Sequence, residues 1–162
     1  MPDTALDRRT LIDHIRAQID DQLAGVAAMT AAARDEATAS ESRPENQYDT
    51  RALEASYLAA GQGQRLAELK ELQLWASQLG EAAPGDGAAA QGCFVALRLV
   101  GQPRLVLLGR AGGLTVEVAG RRVEVVSERS PLGQAIVGLM AGDEGELTTP
   151  RGLSRLVVDA VW

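Results

Sequence analysis

The chain of 162 residues carries 16 basic against 22 acidic side chains, a net charge of −6, and it is 46% hydrophobic but only 3% aromatic. Such a composition supports one ordinary domain or two small ones around an aliphatic, alanine-rich core. It excludes a surface built for direct DNA binding, because phosphate contacts need clustered Lys and Arg. One cysteine, Cys93, and one histidine, His14, exclude an intramolecular disulfide and a zinc site, and a reducing, cytoplasmic setting is expected. No apolar run reaches the roughly 18 residues of a membrane span, and Met1 to Thr4 lack the basic start of an export signal, so no membrane partner is expected.

From about Thr4 to Ala39 there is no proline and one glycine, Gly25, which predicts a single helix of the order of 50 Å. Ile12, Ile15, Ile19, Leu23, Val26, Met29, Ala33 and Ala37 recur at spacings of three and four and form one stripe. Such a rod is longer than a small domain needs. Pro44 forbids its continuation and suits the first turn of a second helix, with Ser42 or Arg43 at the start and Glu45 where the helix dipole favours negative charge. That second helix is predicted to run to about Leu79, with a stripe through Ala52, Ala55, Leu58 or Ala59, Gln62, Leu66, Leu69, Leu72, Ala76 and Leu79. Matched stripes joined by a short turn predict an antiparallel coiled-coil hairpin over 1–80, with an acidic tip at 40–49. Gly61 and Gly63 weaken the second helix, and close approach to Gly25 on the first is the expected reason for them.

Pro and Gly dominate 81–91, which reads as a linker. Beyond it the period switches to two. Runs at 94–100, 104–108, 114–118 and 121–126, separated by Gly101 to Pro103, Gly109 to Gly113 and Ala119-Gly120, predict hairpin-linked strands. The cluster Gly109, Gly112, Gly113 lacks the ending of a phosphate loop and reads as a hairpin turn. Ser130-Pro131 predicts a capped helix start, and 145–149 and 153–161 supply two more strands. The fold class expected is α+β: a helical hairpin, then over 92–162 a small antiparallel sheet carrying one short helix.

Two motifs give the chain a family resemblance. Glu45-Asn46-Gln47-Tyr48, followed by Arg51, Ala52, Glu54 and Ala55, is similar to, and one residue shorter than, the Glu-Asn-x-x-Tyr segment opening the second hairpin helix in the Gre family of bacterial transcript cleavage factors. Ser130-Pro131-Leu132-Gly133, then Leu139 and Gly142-Asp143-Glu144, resembles that family's C-terminal Ser-Pro, Gly and Gly-Asp pattern. The resemblance spans nearly the whole chain. It implies an FKBP-like C-terminal domain docking on RNA polymerase through Ser130, Pro131 and Leu132 while the hairpin reaches into the secondary channel. It implies further that Glu41 and Glu45 help hold a Mg²⁺ shared with the polymerase, touching nascent RNA only indirectly. The chain would then be an accessory factor lending carboxylates to another enzyme's site, since two carboxylates fall short of an octahedral Mg²⁺ cage. The family places an Asp three residues before this Glu; here that position is Ser42, with Glu41 four before.

Each candidate has a plainer reading. Glu41, Glu45 and Asp49 fit a solvated acidic turn, and Ser130-Pro131 would start a helix in any protein. His14 lies off the stripe and reads as a surface residue, Cys93 as a buried small residue, and Tyr57 and Trp75 as core. A non-cleaving regulator of the same channel, or a scaffold with an interaction stalk, would need no tip chemistry. Prolyl isomerase activity is not expected, because the C-terminal part lacks the aromatics such a pocket requires.

Overall fold

A computed structural model describes residues 6–40 and 50–162. Two helices, α1 (Arg8–Ser40) and α2 (Thr50–Ser77), precede strands β1 (Phe94–Leu99), β2 (Gln102–Gly109), β3 (Leu114–Val118) and β4 (Arg121–Ser127). A short helix α3 (Pro131–Ile136) and strands β5 (Glu144–Thr149) and β6 (Gly152–Val161) complete the chain. The expected α+β architecture is present. The predicted start of the second helix around Pro44 lies outside the described residues.

The helices run antiparallel. Arg16 of α1 meets the end of α2 at Ala76, Ser77 and Leu79, whereas Gln22 is reached by Arg65. Asp7 caps α1, its carboxylate accepting from the Thr10 amide at 3.3 Å. Among the described residues, full burial along the stripes is confined to one end: Leu11, Ile12, Ile15 and Ile19 from α1, and Leu69, Leu72, Trp75 and Ala76 from α2. Farther out the predicted stripe is half-buried at Leu23, Val26 and Leu66 and exposed at Met29 (60%) and Leu58 (66%), and Tyr57, off the stripe, is 72% exposed. Tyr57 is therefore a surface residue, and Trp75 alone of the pair is core. No neighbour would come within 4 Å of a Cβ at Gly25, Gly61 or Gly63, so close helix approach, the reason expected for these glycines, is overturned.

Six strands form one sheet in the order β3-β4-β2-β1-β6-β5. It is mixed rather than wholly antiparallel, because β2 and β4 pair in parallel. The chain leaves β2 at Gly109, reaches the sheet edge as β3, and returns as β4 between β3 and β2. Residues 109–113 are thus a crossover and not a hairpin turn. The local turn Ala119-Gly120 dictates the β3–β4 pair; the β4–β2 pair is set by the apolar row that both strands present to the helices.

That row explains an irregularity in the sequence. Leu105 to Leu108 is a continuous apolar run because β2 is covered on both faces. Leu105 and Leu107 join Phe94, Val123, Val125 and the β3 residues Leu114, Val116 and Val118 under the helices. Val106 and Leu108 face the other way, onto a second cluster with Val95, Leu97, Ile136, Leu156 and Val158. The hairpin base is therefore one wall of the main core.

The β1–β2 turn is Val100-Gly101, one residue earlier than expected, with Leu99 opposite Gln102. Both residues have positive φ, 51° at Val100 and 77° at Gly101, as do Ala119 and Gly120 in the β3–β4 turn. These are two-residue loops of the kind that matches strand twist. Pro103 lies inside β2, opposite Arg98, where β2 has no β4 partner before Leu105; the missing amide hydrogen costs no ladder bond on that side.

Candidate partner-binding surface

The turn into α3 follows from four residues. Ser130 has extended backbone, φ −69° and ψ 158°, and its Oγ accepts from the Gly133 amide at 3.1 Å. The same hydroxyl donates to the Ser127 carbonyl at 2.7 Å. Pro131 occupies the first helical turn, where its missing amide hydrogen is no loss. Gly133 is buried, and a Cβ there would collide with the Ser127 carbonyl oxygen and lie 2.8 Å from the Glu128 Cα. The glycine of this motif is thus a steric requirement: α3 lies directly on the end of β4. With its hydroxyl engaged internally, Ser130 shapes the turn, and Pro131 is the exposed face. Leu132 is half-buried against the second core cluster.

Ser130, Pro131 and Leu132 are brought together with Gly112 and Gly113 and with Thr148, Thr149 and Pro150 at the end of β5, around a groove of about 690 Å³. Arg104 and Glu124 close one wall, Arg104 Nε donating to the carboxylate at 3.1 Å. The two sheet edges thus approach one another over the α3 turn.

Glu41 and Glu45, the expected metal ligands, and Arg43, Asn46, Tyr48 and Asp49 lie outside the described residues. Among the described residues no group of three His, Cys, Asp or Glu side chains could hold a metal ion, and no helix is long and apolar enough to cross a membrane. His14 is exposed, its Nδ1 2.8 Å from the Thr10 carbonyl oxygen. Cys93 is buried, with Sγ 3.3 Å from the Pro84 carbonyl oxygen.

Charge is unevenly divided. Residues 1–91 hold 15 acidic against 8 basic side chains and residues 92–162 hold 7 against 8, so the acidity belongs to the hairpin and its connection.

The hairpin is fixed by two arginines that sequence reading passed over. Arg8 is 7% exposed. Its Nε donates to the Gly80 carbonyl at 3.0 Å, Nη1 to the Trp162 main-chain oxygen at 3.2 Å and Nη2 to the Gly92 carbonyl at 2.8 Å. Its guanidinium carbon lies 5.5 Å from the centroid of the Phe94 ring, which stacks on Trp162 at 5.9 Å. Burial pushes the Arg8 pKa below its ordinary value. Arg16 donates to the carbonyls of Ala76 at 3.0 Å, Ser77 at 3.3 Å and Leu79 at 3.1 Å, where the α2 dipole is negative; the Ala76 carbonyl also accepts from the Leu79 amide. The stretch 81–91, expected as a linker, is tied to the segment just after α3 by the Ala89 amide donating to the Leu139 carbonyl and by the Gly138 amide donating to the Ala89 carbonyl. The signal for Arg8 was in the sequence: it continues the stripe of Ile12, Ile15 and Ile19 by one turn, a charge on an apolar face.

The molecule is, in class, a helical hairpin seated by its base on a mixed six-stranded sheet. No family model matches the chain, and no curated protein matches it. Among solved structures, Gfh1 of Thermus aquaticus is 20% identical, covering 90% of this chain and 92% of that one, with a TM-score of 0.38. GreA factor homolog 1 (Gfh1) of Thermus thermophilus is 22% identical, covering 91% and 94%, with a TM-score of 0.37. A prokaryotic transcription elongation factor GreA/GreB from Nitrosomonas europaea is 23% identical, covering 57% and 78%, with a TM-score of 0.34.

Proposed function

We propose that this chain is an RNA-polymerase-binding factor of the Gre type. In this reading the C-terminal domain, 92–162, docks at the rim of the polymerase secondary channel. The coiled-coil hairpin, 1–80, extends into the channel and modulates elongation, and the factor works in the bacterial cytoplasm where its partner is. The observation that carries the reading is the division of labour along the hairpin. Its 33-residue first helix is about 50 Å long, yet among the described residues its buried ones end at Ile19. A stalk clamped at one end by Arg8, Arg16 and the core, and joined at the other by the acidic segment 41–49, suits delivery of carboxylates at a distance. The motifs at 45–48 and 130–133 support the same partner. Pro131, exposed beside the groove, would make the contact that Ser130 and Gly133 shape.

Glu41 and Glu45 would supply two oxygen ligands to a Mg²⁺ completed by polymerase carboxylates and RNA phosphate. Bound there, the ion would activate water for cleavage of backtracked RNA. A second reading, a non-cleaving occupant of the channel, is favoured by Ser42, which stands where the family has its aspartate.

Pull-down with core polymerase tests docking. Binding is expected for the wild type and a loss of at least about tenfold for Pro131→Ala; a chain that does not bind is a scaffold of another kind. On backtracked complexes, Mg²⁺-dependent RNA shortening that vanishes in Glu41→Ala/Glu45→Ala supports cleavage. Docking without shortening supports the second reading.

A further inference from the structure

Gly25 in α1 and Gly61 and Gly63 in α2 lie at one height of the hairpin, since Val26 and Met29 of α1 line the same groove as Leu58, Gly61 and Gln62 of α2. None is there for packing, because a Cβ at each would meet nothing within 4 Å. The sequence around them, Ala24 to Ala33 and Ala55 to Ala60, is otherwise rich in alanine, the best helix former. Glycine at three exposed positions there weakens both helices at the same level. The core also stops below this height: Ile19 and Leu69 are the last buried residues on either helix among those described. No charged residue occurs in 22–33 or 55–64, so no ion pair between the helices can brace this band.

We infer that Gly25, Gly61 and Gly63 form a joint across the hairpin, at which both helices break their hydrogen-bond ladders first and the outer half moves as a unit on a fixed base. Alanine keeps the outer segments helical, and the glycines concentrate the compliance between them and the base. The joint lies 15 residues, about 22 Å of helix, from the Ser40 end of α1. It is a property of the free chain and holds whatever the partner proves to be.

Residue-resolved amide exchange on the full chain tests it, comparing the wild type with Gly25→Ala/Gly61→Ala/Gly63→Ala. In the wild type, amides 25–29 and 61–67, whose helical bonds span the glycines, are expected to exchange faster than those immediately on the tip side. In the triple variant they slow by roughly fivefold in α1 and roughly 25-fold in α2, reflecting one and two replaced glycines, while amides 11–19 and 69–76 are unchanged. Exchange that falls smoothly from tip to base in the wild type, or a triple variant within twofold of wild type at 25–29 and 61–67, would overturn the joint. Exposed Gly→Ala changes inside a helix leave the fold intact.

Discussion

Replacing Arg8 by alanine removes three hydrogen bonds to separate parts of the molecule, at Gly80 after α2, Gly92 before β1 and Trp162 after β6, of which the Trp162 oxygen keeps the Phe94 amide as donor. Hydrogen bonds from a charged donor each contribute about 1.5–3 kcal/mol, and three of them give a gross value of about 5–9 kcal/mol. The guanidinium is desolvated, as the direction of its pKa shift indicates, and that cost offsets about half of the gross value. A net loss of about 3–4 kcal/mol is expected for Arg8→Ala. Lysine keeps the charge but has no planar fork and cannot reach three divergent carbonyls, so Arg8→Lys should lose about 2 kcal/mol. Urea unfolding followed by tryptophan fluorescence reads both, since Trp75 and Trp162 flank the same core. Domains hold about 5–15 kcal/mol in total, so Arg8→Ala should move the midpoint far to lower urea. An Arg8→Ala midpoint corresponding to less than about 1 kcal/mol, or an Arg8→Lys variant as stable as wild type, would refute the clamp.

Other substitutions probe the turns and the α3 seat. Val100 holds a β-branched side chain at φ 51° and is 69% exposed, a conformation that costs roughly 1–2 kcal/mol for such a residue. Val100→Asn should therefore stabilise by about 1 kcal/mol in thermal unfolding, and a loss of stability would contradict the turn assignment. Gly133→Ala should destabilise by about 1–3 kcal/mol, because the added methyl meets fixed backbone of Ser127 and Glu128; the same change at Gly25 should stabilise, and the contrast in sign is the readout. Arg16→Ala removes three hydrogen bonds at the end of α2 and should cost about 1–2 kcal/mol, with amide protection lost at Gln78 and Leu79, just past the helix, before α2 itself.

How far the fold was legible depended on the range of each determinant. The helices and six strands followed from local periodicity, and the α3 start from Ser130 and Pro131. The β4 insertion between β3 and β2 was not legible, because turn residues specify which neighbours pair and say nothing of which third strand the pair joins. Stripe position alone also misled at Met29 and Leu58, and aromatic character alone at Tyr57. Spacing gives the side of a helix, but burial needs a facing surface, and the sheet covers only the base. The place of Arg8 on the apolar stripe was legible, but what it binds was not, because its partners are main-chain oxygens 72, 84 and 154 residues away. At the candidate site, the motif 130–133 was readable from sequence, whereas the groove it joins with Gly112 and Pro150 arises from the curl of the sheet.

In the function proposed above, this chain would carry Glu41 and Glu45 into RNA polymerase. Site-specific crosslinking from position 46 in the complex with core polymerase tests it most directly. Crosslinks to the catalytic subunit inside the secondary channel, lost when Pro131 is replaced by alanine, are the predicted result. Crosslinks confined to the outer surface of the polymerase, or none with a folded chain, would contradict it.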